Sequence, residues 1–130
     1  MGTDAREIGV RDVITIDGGK SVRSASSLMG YFKVDSLLVT KDIHPVGIVT
    51  KRDIERRKTD PDLVDIGKIM SEPLIWTRYN TTLTEVAEIM DIEKIRRLPI
   101  FGNLSSGPIL LGMFVRERVS EPKKVEPDQS

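Results

Sequence analysis

The sequence predicts an α/β (α+β) fold of two tandem β-α-β-β-α repeats, and three observations carry that reading. Residues 21–39, SVRSASSLMGYFKVDSLLV, return as TLTEVAEIMDIEKIRRLPI at 82–100, and VGIVTKRDI at 46–54 returns as LGMFVRERV at 111–119. Within each copy the hydrophobic period changes from helical to strand-like in the same order. Val22 and Leu83 stand 61 residues apart, but Gly47 and Gly112 stand 65 apart, so the second copy carries four extra residues between its two blocks. Those four fit the loop NLSSG at 103–107. A repeat of this length builds similar units packed on each other, with binding sites at the seam.

Each element has its own signal. VITI (13–16) and LIW (74–76) read as short strands ahead of the helices. Val22, Ala25, Ser26, Met29 and Phe32 recur at helical spacing, as do Leu83, Val86, Ala87, Met90 and Lys94. Thr82 followed by Glu85 is a capping box, in which hydroxyl and carboxylate satisfy free N–H groups of the first turn. Two apolar runs follow each helix, SLLVT (36–40) with VGIVT (46–50), and LPIF (98–101) with ILLGMFV (109–115). Pro45 lies between the first two and Gly102, Gly107 and Pro108 between the second, which makes each pair a hairpin. RDIERRK (52–58) reads as a polar helix after the first hairpin. The expected organisation is a first repeat at 8–58, a linker at 59–65, a second repeat at 66–119 and a tail at 120–130 too poor in apolar residues to order itself. Pro61 separates RDIERRK from VDIGKIM, because the residue before a proline avoids the helical region.

Composition excludes several classes. The chain has 130 residues, 38% of them hydrophobic, enough for one compact core or two fused half-cores. Twenty basic residues balance twenty acidic ones. The balance holds in each half, so neither carries the basic excess of a nucleic-acid footprint. With no cysteine there is no disulfide, thiolate metal site or thiol nucleophile. His44 has no second histidine to share a metal. No apolar run reaches the roughly 20 residues of a membrane helix. The start MGTDAREIGV lacks a signal-peptide pattern, and Arg6 stands where a myristoylation signal wants Ser or Thr. The expectation is a soluble body, cytoplasmic by default, with no membrane contact. No Ser/His/Asp set, paired-carboxylate cleft, phosphate-binding loop or metal constellation can be assembled, which argues against an enzyme.

VRDVITI, the segment pair VDSLLV/IRRLPI and the string GIVTKRDI, set in a strand-helix-strand-strand-helix repeat, resemble a pair of CBS domains over about residues 8–119. The string fits that family's Gly-hydrophobic-x-Thr/Ser-x-x-Asp signature. The resemblance implies CBS repeats packed about a pseudo-two-fold axis and adenine-nucleotide binding in clefts between them. It implies that Asp53 takes the ribose hydroxyls and Thr50 the ribose-phosphate side, with Gly47 and Ile48 beside the base. A carboxylate can accept from two adjacent hydroxyls, which suits that role. Pro73, Ile75 through its backbone, and Ile95 are implied to complete the adenine cradle. Lys51, Arg52 and Arg96 are the cations implied for phosphate in that cleft. In the second cleft Arg96 and Arg97 match basic phosphate positions, but Val115 and Arg118 replace Thr and Asp, and a guanidinium offers a hydroxyl no acceptor. One nucleoside site per chain follows.

Each of these residues has a structural alternative. Gly47 and Gly112 can relieve crowding in a strand, Asp53 can cap a helix, Arg96 and Arg97 can be a solvated pair, and Trp76, Met29 and Met90 read most simply as core. The leading function is a regulatory module that senses AMP, ADP or ATP as ligand, needs no cofactor, forms a homodimer and acts on a separate effector protein. The alternatives are a structural dimerisation module without ligand, and a binder of another adenosyl ligand such as S-adenosylmethionine or NAD.

Overall fold

The computed structural model describes residues 7–57 and 60–117. The tail at 120–130, Arg118 and any helix after the second hairpin lie outside the described residues. The elements in order are β1 (Ile8–Arg11), β2 (Thr15–Asp17), α1 (Val22–Phe32), β3 (Ser36–Lys41), β4 (His44–Thr50), α2 (Lys51–Glu55), a 3-10 turn (Ile66–Lys68), β5 (Thr77–Arg78), α3 (Leu83–Glu93), β6 (Arg97–Leu104) and β7 (Gly107–Arg116). They form two compact units, one built on residues 13–75 and the other on residues up to 12 together with those from 76 onward.

In the first unit the sheet runs β2-β3-β4, with β2 parallel and β4 antiparallel to β3. The Ser21 hydroxyl opens α1 by accepting from the Ser24 N–H, and Lys33, at φ 57°, closes it by donating its N–H to the Met29 carbonyl. The helix buries Val22, Ala25 and Met29 against Ile16, Leu37, Val39, Val49 and Ile66. Ser26 and Phe32, expected on the same face, are exposed, because the apolar stripe is narrower than the spacing suggested. The linker is tied to the start of α1: Val22 N–H donates to the Val64 carbonyl, Arg23 N–H to that of Pro61, and Ile66 N–H to that of Lys20. The Arg23 guanidinium donates to Asp62 at 2.6 Å, and that bond and charge hold its pKa above the ordinary value.

In the second unit the sheet runs β1-β7-β6-β5. The capping box forms as expected, with the Thr82 hydroxyl accepting from Glu85 N–H and the Glu85 carboxylate from Thr82 N–H. Lys94, at φ 58°, closes α3 by donating to the Met90 carbonyl, as Lys33 closes α1. Val86, Ala87 and Met90 are buried, while Leu83 is exposed. The repeat extends to strand register. Ile16 pairs with Val39 as Thr77, 61 residues on, pairs with Ile100. Each hairpin also skips one residue at the same place, Val46 in one and Leu111 in the other.

Four expectations change. The leading strands begin at Thr15 and Thr77, later than VITI and LIW. In the second case Thr77 takes the buried position, its hydroxyl bonded to that of Thr81 at 2.6 Å. Trp76 is 49% exposed and not core, whereas Met29 and Met90 are buried as expected. Helix α2 is shorter than 52–58, ending at Glu55. The four extra residues do not enlarge a loop. Both hairpins have two-residue turns, Asp42–Ile43 and Ser105–Ser106, and the insertion lengthens β6 and β7 by two residues each.

The compact units cross the repeat boundaries. β1, which precedes the first repeat's helix, pairs with β7 of the second repeat from Ile8–Arg116 to Arg11–Met113. Its counterpart in the second repeat, at Ser71, exchanges two hydrogen bonds with Ile48 of β4. Gly47 exists for that approach. A β-carbon there would fall 2.6 Å from Met70 Sδ and 2.7 Å from the Ser71 carbonyl oxygen, so no larger residue fits without movement.

Candidate functional site

The end of β4 and the start of α2 carry most of the residues singled out in the sequence. Val49 is buried in the core, so by strand alternation its neighbours Ile48 and Thr50 face the other way, half-buried. The Thr50 hydroxyl accepts from the Asp53 N–H at 3.2 Å, and Asp53 Oδ2 accepts from the Thr50 N–H at 2.9 Å. Thr50 is therefore the N-cap, and Asp53 closes the box from the third helical position rather than capping by itself. Two orphan donors are satisfied and both side chains are locked. Asp53 Oδ1 takes no hydrogen bond among the described residues, and the Thr50 O–H, used only as acceptor, can still donate. Lys51 and Arg52 are exposed at the same junction.

The Ser71–Ile48 pairing brings the segment holding Pro73 and Ile75 into this same unit. Pro73 is exposed and Ile75 half-buried. The junction thus offers a carboxylate oxygen, a hydroxyl, two exposed cations and an adjoining apolar segment.

Ile95, Arg96 and Arg97 belong to the other unit, where all three are half-buried. The Arg96 guanidinium donates to the Arg116 carbonyl at 2.6 Å, and the Arg116 N–H donates back to the Arg96 carbonyl at 2.8 Å. Arg97 pairs across the sheet with Val115. Arg116, 16% exposed, binds Asp91 at 2.9 Å and so joins β7 to α3. Arg96 is thus engaged with its own sheet, which differs from both a free phosphate clamp and a solvated pair. Among the described residues no group of three His, Cys, Asp or Glu could hold a metal, and no helix is long and apolar enough to cross a membrane.

Sequence reading missed a concavity in the second unit. Trp76, Arg78, Tyr79, Phe101, Gly102, Asn103 and Pro108 line an open cleft of about 190 Å³. Trp76 and Phe101 meet edge to face, ring centres 5.5 Å apart. Its signal was present in the repeat alignment, because the first repeat has no aromatic at any matching position.

The CBS domain profile matches residues 5–59 and 66–121. The chain belongs to the CBS domain family. Among curated proteins it is 32% identical over 121 residues to the inosine-5'-monophosphate dehydrogenase of Thermoplasma acidophilum, a match that covers 93% of this chain and 24% of that enzyme. It is 30% identical over 112 residues to the CBS domain-containing protein YhcV of Bacillus subtilis, covering 83% of this chain and 80% of that protein. Among solved structures, the hexameric CBS-CP12 protein of bloom-forming cyanobacteria superposes with a TM-score of 0.68 at 28% identity, over 87% of this chain and 64% of that one. The chain therefore spans about a quarter of the dehydrogenase, and the CBS pair is what it shares with all three.

Proposed function

We propose that this CBS pair is a regulatory module that binds one adenine nucleotide per chain at the β4–α2 junction and passes its occupancy to an effector protein. The observation that carries the reading is the pairing of Thr50 and Asp53. Their mutual hydrogen bonds fix both side chains before any ligand arrives, and leave Asp53 Oδ1 to accept from a ribose hydroxyl. Such preorganisation lowers the cost of binding. The second repeat has Val115 in place of Thr50, and a valine offers a ribose nothing. Ile48, Pro73 and Ile75, all of the same unit, supply apolar contact for the base, and Lys51 and Arg52 the cations for phosphate. S-adenosylmethionine and NAD carry the same ribose diol and are the nearest alternatives. The module is not itself an enzyme.

The homodimer belongs to the same proposal. Tyr31 is 80% exposed at the end of α1, beside Phe32, and Ile92 is 76% exposed at the end of α3. Apolar residues this large on helix ends suit burial against a second copy, and two-fold pairing is the commonest assembly. The cyanobacterial relative is itself an oligomer, a hexamer.

A structural dimerisation module without ligand is the second reading, and the capping box favours it, since that box alone accounts for Thr50 and Asp53. Thermal melts with AMP, ADP and ATP decide between them. A bound nucleotide must raise Tm by mass action, by about 2.7 kcal/mol of stability at a hundred times its Kd. No shift with any of the three leaves the dimerisation module.

A further inference from the structure

The second repeat carries a cleft that the fold does not require. The first repeat builds the same strands in the same register with Thr15, Asp17, Gly18 and Thr40 where the second has Trp76, Arg78, Tyr79 and Phe101. Strand pairing gathers the cleft on one face of the sheet. Arg78 stands opposite Phe101, Asn103 is two residues further along the same strand, and Pro108 stands opposite Asn103, so these four project to one side. Thr77 and Ile100, one position back on each strand, are buried on the other side. Trp76, two residues before Arg78, shares the cleft face and meets Phe101 edge to face.

Size and charge limit what the cleft can hold. Its open volume of about 190 Å³ is below the roughly 300–1,000 Å³ of pockets that take drug-sized ligands. It is close to the ~150 Å³ of an apolar cavity that holds one benzene ring. One ring with a small substituent fits, and a whole nucleotide exceeds the space. Arg78 is the one charged residue lining the cleft, and no acid lines it. The Arg78 guanidinium, the Asn103 amide and the Tyr79 hydroxyl make no hydrogen bond or ion pair among the described residues. A single guanidinium matches a carboxylate in charge and in the geometry of its two donors, whereas a phosphate monoester brings about −1.5 to −2 charges.

We propose that this cleft is a ligand site for a small aromatic carboxylate, with the ring against Trp76, Tyr79 and Phe101, the carboxylate on the Arg78 guanidinium and the Asn103 amide donating beside it. The site stands apart from the nucleotide reading, whose Thr50 and Asp53 belong to the other unit.

Trp76 is the only tryptophan in the chain, so its emission reports this cleft alone. The full-length protein is titrated with benzoate and 4-hydroxybenzoate, and with two neutral compounds, benzyl alcohol and N-acetylphenylalaninamide. Both acids should give a saturable change in Trp76 emission. Arg78→Gln should weaken their binding about tenfold or more, because a charge-assisted bond is lost. Benzyl alcohol, which lacks the carboxylate, should bind wild type as weakly as benzoate binds Arg78→Gln, and excess AMP should not displace benzoate. No saturable response to either acid overturns the proposal. Equal affinity for benzoate and benzyl alcohol also overturns it, even where Arg78→Gln fails to fold. Tighter binding of N-acetylphenylalaninamide than of benzoate overturns it by making the cleft a pocket for a peptide side chain, and displacement by AMP overturns it by merging the cleft with nucleotide binding.

Discussion

Replacing Asp53 by asparagine separates the cap from the ligand contact. The Asn carbonyl can take the place of Oδ2 and accept from the Thr50 N–H, now at 2.9 Å, while its amide nitrogen stands where Oδ1 was and only donates. A ribose hydroxyl that donated to Oδ1 would then face a donor. The lost interaction is a hydrogen bond to a charged group, worth about 1.5–3 kcal/mol, so affinity for AMP or ATP should fall about 10- to 100-fold. Without nucleotide, Asp53→Asn should melt close to wild type because the box persists. Asp53→Ala should show the same affinity loss and also melt lower, since truncating a capping side chain costs about 0.5–2 kcal/mol. Calorimetric titration gives affinity and stoichiometry, and thermal melts without ligand give the cap. If Asp53→Asn binds as wild type while Asp53→Ala does not, Asp53 acts only by holding the backbone, and the ribose assignment is wrong.

Further outcomes follow from single positions. Arg118→Ala should leave affinity unchanged and stoichiometry at one nucleotide per chain; two equal sites would contradict the asymmetry of the repeats. Gly47→Ala should destabilise by about 1–3 kcal/mol because the Ser71 carbonyl has to move, whereas Gly30→Ala, on the open side of α1, should stabilise by up to about 1 kcal/mol; melts of the two compare them directly. Ile43 sits at φ 64° and 86% exposed in a two-residue turn, so Ile43→Gly should gain about 1 kcal/mol by relieving a β-branched residue from the left-handed region. Tyr31→Ser with Ile92→Ser should convert a dimer to a monomer in light scattering; a wild-type monomer, with and without nucleotide, would remove the dimer from the proposal.

Elements with a local cause were legible in the sequence. Helix α3 was readable from Thr82 and Glu85, and both hairpins from their paired apolar runs, but Pro45, Gly102, Gly107 and Pro108, expected between the runs, lie within the strands, and the turns fall at Asp42–Ile43 and Ser105–Ser106. What else failed depended on partners distant in sequence. LIW reads as a strand by apolarity, but the buried place goes to Thr77, which has Thr81 for its hydroxyl and Ile100 across the ladder. The destination of β1 could not be read at all, since nothing local says that Ile8–Arg11 pairs with a strand more than a hundred residues on. For the candidate site, the string GIVTKRDI located Thr50 and Asp53, but only coordinates show that each holds the other.

The duplication makes the departures interpretable. Wherever the two repeats agree, as in the left-handed caps at Lys33 and Lys94 or the skipped residues Val46 and Leu111, the shared frame is sufficient cause and no function need be invoked. Where they differ, the frame cannot be the cause, because its other copy folds without the feature. Thr50 and Asp53 also differ, aligned with Val115 and Arg118, but the helix they cap has no counterpart among the described residues. Trp76, Arg78, Tyr79 and Phe101 lie at one such difference, facing two threonines, an aspartate and a glycine. The first set is polar and held by mutual hydrogen bonds; the second is aromatic with one cation. Two repeats of one fold thereby present two different chemistries.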